Sequence, residues 1–366
     1  MVKKHISFFV FLLVISFVFN KPTVFGQSFT GHLVVSLPEY IKPQFLRPND
    51  PVSVAMGLTG TAYRTSASAP LSNPAGLAKL DRLELSFSHI PSHNLFGENL
   101  YNQEAVAVGL PLPAGFALGF HFFYLNFGEI NTWSPSHPID KKERAGIRQF
   151  QFTAAKKLNI SETAFLSLGS NVKHINFYLG SPFMKKWLLD LGSRVRWKFA
   201  KSWVSMGVSV TNIGSDIEEK YISMDGERHT FKEPIARFFR LGLAWGTIGQ
   251  SISRQGANPQ FMVTVEYQQD LYKNNKEFSY AHWKFLGCGL EGCIFNHLHG
   301  EIGYHFDLRT KNRYGNYKGL TYGFGFETPK SISPSFPLGL QLSYGKGVNQ
   351  GLINQNVIAV TLVYQH

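Results

Sequence analysis

The side chains able to do covalent chemistry are few and badly spaced for it. Residues 86–93, SFSHIPSH, contain the serine and histidine that a lipase-type hydrolase needs. On an extended strand, however, neighbouring side chains project to opposite faces, so Ser88 and His89 cannot pair. No Gly-x-Ser-x-Gly elbow occurs in the chain. His121 and His305 fall on strand faces otherwise made of small and polar residues, where hydrogen bonding is the expected role. Cys288 and Cys293 stand in GCGLEGC. Five positions apart on one strand, at about 3.3 Å per residue, their Cα atoms lie roughly 16–17 Å apart and face opposite ways. A disulfide needs about 4.4–6.8 Å, so two free thiols are expected. No second Cys/His pair lies at zinc-ligand spacing. The expectation is a protein that is not an enzyme, with no catalytic residue, metal or cofactor.

The elements that position these residues begin after a targeting signal. Lys3, Lys4 and His5 precede an uncharged run, Ile6–Phe19, and then NKPTVFGQS. A basic start, a 14-residue apolar core and small residues before a cleavage point after Gly26 read as a signal peptide over 1–26. The run falls short of the roughly 20 residues of a spanning helix. Cleavage removes three lysines and no acid, so the formal +12 becomes about +9. An exported basic chain meets lipopolysaccharide or anionic lipid. Nucleic acid is excluded as a partner by compartment and by the scatter of the basic residues.

From residue 83 the chain repeats one pattern, about ten residues of alternation and then a break. Leu83, Leu85 and Phe87 begin it, Phe116, Leu118, Phe120 and Phe122 continue it, and Ile358, Val360, Leu362 and Tyr364 end it. Fourteen such segments are predicted, with connections of alternating length. Short turns follow the second, fourth, sixth and tenth strands; longer polar loops follow the first, third, fifth, seventh and eleventh, notably 128–146 and 213–235, while the turns near 247–259 and 328–337 are longer than the alternation prefers. The second face is small, polar or charged: Ala105, Ala107 and Gly109; Ser205, Gly207 and Ser209; and Asp190, Arg194, Arg196, Arg240, Glu266 and Glu301. An even strand number, short segments, terminal aromatics and export together point to an all-β transmembrane antiparallel barrel in the outer membrane.

Residues 50–78, DPVSVAMGLTGTAYRTSASAPLSNPAGLA, resemble the entry segment of the FadL-type outer-membrane transporter superfamily, nearest its PorV/PorQ branch of type IX secretion. Met56-Gly57, Gly60 and Ser72-Asn73-Pro74-Ala75-Gly76-Leu77 carry the likeness. LLDLGSRVRW (188–197), SMGVSVTNIG (205–214, ending in an Asn-x-Gly turn) and GLTYGFGFE (319–327) look like family strands in the same order. The family usually has glycine where Leu58 stands. The resemblance implies a 14-strand barrel over 83–366 with residues 27–82 folded into its lumen as a hatch, rather than a tether outside it. Asn73 would cap a helical turn with Pro74 at its first position. Asp190 with Arg194 or Arg196, and Glu266 or Glu301 with Arg240, would be ion pairs holding the hatch, or else a selectivity site. Two functions follow from the family. One is a part in protein secretion, with secretion-system proteins or secreted substrates as partners. The alternative is uptake of a hydrophobic small molecule such as a long-chain fatty acid.

Overall fold

The computed structural model describes residues 50–91, 102–134, 137–179, 181–215, 217–222, 228–233, 235, 237–247, 260–271, 284–294, 297–308, 318–328, 338–347 and 356–364. The expected signal peptide and residues 27–49 lie outside them. The strands are β1 (Leu83–Ile90), β2 (Asn102–Pro111), β3 (Phe116–Ser134), β4 (His137–Asn159), β5 (Ala164–Leu179), β6 (Ser181–Lys198), β7 (Ser202–Gly214) and β8 (Ile217–Ile222). They continue as β9 (Arg228–Glu233), β10 (Phe238–Thr247), β11 (Gln260–Asp270), β12 (Lys284–Ile294), β13 (Leu298–Asp307), β14 (Gly319–Glu327), β15 (Leu338–Lys346) and β16 (Asn356–Tyr364).

Fourteen of these close into an antiparallel barrel, each pairing with its neighbours in sequence, and β1 seals the cylinder against β16. The exception to strict succession is β7, which pairs with β10 because β8 and β9 form a separate two-stranded sheet in the intervening loop. Closure leaves no barrel edge with unpaired amides, which a membrane would not tolerate.

The alternation explains the two surfaces. Phe152, Trp187, Leu243 and Phe324 are between 54% and 64% exposed. Outward rings pack across strands, Phe122 on Phe150 at 5.0 Å and Phe324 on Tyr344 at 5.2 Å. An apolar, aromatic exterior around a closed barrel is the surface that lipid requires, so this is a membrane-spanning barrel of the outer-membrane type. The inward positions are the reverse: Asp190, Arg194, Arg240 and Glu266 are all buried.

Several connections differ from expectation. Most of the loop expected at 128–146 is strand: β3 runs on through 128–134 and β4 begins at 137, paired with each other, with register shifts at 126/128 and 132/134. A single residue separates β5 from β6 where a longer loop is expected. Polar alternation beyond the lipid belt has no apolar face, so it reads as loop in the sequence although the backbone ladder continues. The Asn-x-Gly turn expected at 212–214 is also absent. β7 continues to Gly214, and Asn212, at φ +62°, makes a bulge against Leu189–Leu191 of β6. Asn is among the side chains that tolerate this left-handed region. The two cysteines share one continuous strand, β12, and are free thiols.

Residues 50–82 lie inside the barrel. Helix α1 (Pro51–Ala55) is capped by Asp50, whose Oδ2 accepts from Ser53 N at 3.1 Å and Ser53 Oγ at 2.6 Å. Gly57 and Leu58 end it, both at positive φ (+76° and +64°), reversing the chain against the wall. A 3-10 turn at Ala69–Leu71 and another at Pro74–Lys79 follow before β1 begins.

Candidate functional site

The luminal segment makes one circuit of the interior. Pro51 packs on Gly345 of β15, Ala55 on Gly323 of β14, Gly57 on Gly303 of β13, and Met56 on Gly289 of β12. Thr61 meets Gly207 of β7, Asn73 meets Gly192 of β6, Pro74 meets Gly169 of β5, and Leu77 and Leu80 meet Gly119 and Gly109 of β3 and β2. A Cβ built at Gly323, Gly289 or Gly119 would stand 2.6, 2.7 or 2.8 Å from Ala55 Cβ, Met56 O or Leu77 Cδ2. Real carbon contacts need about 3.5–4.0 Å. The wall is glycine at these points because the segment's backbone occupies the space.

Polar clamps supplement the packing. Glu266 Oε2 accepts from the amides of Gly60 (2.7 Å) and Thr61 (2.8 Å). Thr321 Oγ1 accepts from Gly57 N at 3.0 Å and donates to Ala55 O at 2.6 Å. Arg194 Nη1 donates to Arg64 O at 2.7 Å, and its Nη2 to Gly76 O at 3.3 Å. Arg196 Nη2 donates to Tyr63 O at 3.4 Å while its guanidinium lies 4.1 Å from the Trp203 ring. Ser209 Oγ donates to Ser72 O at 2.8 Å. Asn73 joins the two halves of the segment. Its Oδ1 caps Ala75 N at 3.0 Å, and its Nδ2 donates to Thr61 O at 2.9 Å and to Ser193 O on β6 at 3.0 Å. Met56 and Leu77 are fully buried and seat separate apolar clusters, Met56 with Ala62, Tyr63, Ala244 and Met262, and Leu77 with Ala78, Leu80, Ala117 and Ala155. Buried charge-assisted bonds of this kind contribute about 1.5–3 kcal/mol each.

The expected ion pairs are only partly as placed. Glu266 lies 3.5 Å from Arg240, but Glu301, on β13 three strands from β10, lines the wall of a cavity instead. Asp190 pairs with neither Arg194 nor Arg196. Its Oδ2 is 2.7 Å from Lys173 Nζ on β5, and its Oδ1 accepts from Asn212 N at 2.7 Å. Period two places Asp190, Arg194 and Arg196 on one face, but residues along a strand separate by about 6.6 Å every second position. Cross-strand neighbours are closer, and Lys173 sits on the adjacent strand beside Asn171, which is in register with Asp190. Lys173 and Asn171 were legible only as inward positions of β5. Asp50 and Arg64, joined at 2.7 Å, also escaped the motif reading. Lys79, at the segment's exit, is pushed down to about 7 by burial first, then by Arg196, Arg194 and Lys198.

Between the segment and strands β1, β2 and β12–β16 lies a cavity of ≈ 240 Å³. Hydroxyls and charges dominate its lining, among them Ser86, Ser88, Arg82, Glu84, Glu291 and Glu301. Ser88 faces this cavity, whereas His89 points outward and lies 2.7 Å from Glu104, so the two do not meet. His121 and His305 are buried on the inner face. Among the described residues, no cluster of His, Cys, Asp and Glu could hold a metal ion.

No protein-family model matches the sequence, and no curated protein is similar to it. Solved structures are similar in fold. The toluene transporter TodX of Pseudomonas putida aligns with a TM-score of 0.51 at 12% identity, over 87% of this chain and 97% of that one. The toluene transporter TbuX of Ralstonia pickettii aligns with a TM-score of 0.50 at 12% identity, over 87% and 98%. At this identity the likeness is one of fold, that of the closed 14-strand barrel.

Proposed function

We propose that the protein admits a small hydrophobic molecule across the outer membrane, and that residues 50–80 are the gate. One observation carries the reading: the barrel's own N-terminal chain occupies the lumen around its full circuit. An unobstructed porin needs no such segment, so passage here requires its displacement. The joint is suited to movement, because glycine contacts and discrete polar clamps hold the segment against the wall, to which its covalent tie is the run into β1. The shared fold with two toluene transporters supports a hydrophobic cargo over a hydrophilic one.

A second reading, a PorV/PorQ-like part in protein secretion, draws on the entry-segment resemblance. It is favoured by the polar lining of the described cavity, which suits water better than an apolar ligand. One experiment separates the two. A gene-deletion strain is compared with its parent for uptake of labelled toluene and oleate and for its secreted proteome. Lost uptake with an unchanged proteome supports the gate. Normal uptake with missing secreted proteins overturns it in favour of secretion.

A further inference from the structure

Among the described residues, the luminal face holds a thiol beside an imidazole, and neither the gate nor the barrel needs the pair. Cys293 is the inward residue near the end of β12, and His299 is its direct cross-strand partner on β13. Cys293 Sγ lies 3.8 Å from His299 Nε2, and His299 Nδ1 lies 3.5 Å from Glu291 Oε1. Glu291 precedes Cys293 by two residues, so period two puts both on the same face, and the hairpin folds the histidine between them. The two ring nitrogens face different partners, so one metal ion cannot take both; the order is thiol, imidazole, carboxylate. That is the arrangement by which a histidine activates a cysteine while a third group fixes the ring.

We infer that Cys293 is a reactive thiol that reduces small hydroperoxides, with His299 as its acid–base partner and Glu291 as the positioning residue. Access favours this class of substrate. Cys293 is only 5% exposed, and His299 and Glu291 form part of the wall of the ≈ 240 Å³ polar cavity. The volume and polar lining of that cavity suit a small polar electrophile better than a bulky apolar one. Glu301, Arg64 and Asp50 face the same cavity beside His299 and Glu291.

In the reaction, His299 takes the proton from Sγ and the thiolate attacks the outer oxygen of the peroxide. The S–O bond forms as the O–O bond breaks, with its electron pair leaving on the departing oxygen. The imidazolium protonates that oxygen, so water or an alcohol departs. Cysteine is oxidised by two electrons to a sulfenic acid and the peroxide is reduced by two. Cys288 is on the opposite face of β12, with its Sγ 3.7 Å from Tyr304 O, so it cannot resolve the product as a disulfide. An external thiol must restore the site.

The test uses the full-length protein in detergent with Cys288→Ser, treated with hydrogen peroxide and then with a sulfenic-acid trap read by intact mass. Trapping at Cys293 is expected. His299→Gln should slow it at least about tenfold, and Glu291→Gln should give an intermediate rate that Glu291→Asp, which keeps the carboxylate, restores toward the parent. Compact gel mobility verifies that each variant folds. If His299→Gln fails to fold, the Glu291→Gln and Glu291→Asp rates decide. An unchanged rate in a folded His299→Gln, equal rates for Glu291→Gln, Glu291→Asp and the parent, or no trapped adduct would each overturn the inference.

Discussion

Gly119→Ala tests whether the luminal segment is seated against wall glycines. The new methyl would stand 2.8 Å from Leu77 Cδ2 and 3.2 Å from Thr153 Cβ. Since carbon pairs settle near 3.5–4.0 Å, the leucine must move by most of an ångström. Leu77 is fully buried among Ala78, Leu80, Ala117 and Ala155, so it has little room to move. Overpacking of this kind costs about 1–3 kcal/mol. The strand is formed whether the segment is docked or not, so the better strand propensity of alanine cancels. The docking equilibrium should therefore shift by about 5- to 150-fold, at 1.4 kcal/mol per tenfold. Hydrogen exchange reads this directly. The amides of Gly76 and Leu80 bond to Asn73 O and Leu77 O, both at 2.9 Å, and should exchange faster by that factor while β3 and β4 amides keep their rates. Leu77→Ala alone should also loosen the segment, by about 2–5 kcal/mol. Combining the two should cost less than their sum by at least about 1 kcal/mol, because the added methyl enters vacated space. Unchanged exchange in Gly119→Ala, or additivity within about 0.5 kcal/mol, would refute the reasoning.

Three further outcomes follow from other contacts. Glu266→Gln keeps an acceptor for Gly60 and Thr61 but removes its charge, which should weaken the clamp by about 1–2 kcal/mol and raise the frequency of current openings in planar bilayers. Leu58→Gly relieves about 1–2 kcal/mol of left-handed strain at φ +64° but empties a buried leucine site against Val54, Ile90 and Val357, worth about 2–5 kcal/mol. The net should be a segment more readily cut by added protease. Lys79 has its folded value pushed down to about 7, below that of the unfolded chain. Its penalty is full below pH 7 and fades as pH rises toward about 10.5, so stability should increase across that window. Lys79→Met should lose this increase, as measured by the thermal loss of compact gel mobility at pH 6 and pH 9.

The barrel was legible because period two recurs over most of the mature chain, with aromatics on one face and Gly, Ser and charge on the other. Phe120, Phe122, Leu241 and Leu243 could face only lipid once Gly207, Ser209 and Arg240 faced inward. Interior pairing was less legible. Which strand opposes which position depends on register across the sheet, so Asp190 carried no sign of Lys173. The wall glycines read singly as small residues, and only the circuit of residues 50–80 gives each its neighbour. The extended ends of β3 and β4 were hidden because, beyond lipid, neither face of a strand must be apolar. The bulge at Asn212 was misread for a related reason: Asn-x-Gly has the same left-handed preference in a bulge as in a turn.

Tying the luminal segment to the wall tests the gate most directly. A Cβ at Gly242 would lie 3.2 Å from Ala62 Cβ, near the roughly 3.5–4.5 Å of a disulfide. Ala62→Cys with Gly242→Cys, in a background with Cys288→Ser and Cys293→Ser, should close on oxidation and reopen on reduction. Uptake of labelled toluene or oleate should stop in the oxidised protein and return with reductant. Uptake that continues at the parental rate through a fully crosslinked barrel would contradict a gate formed by residues 50–80.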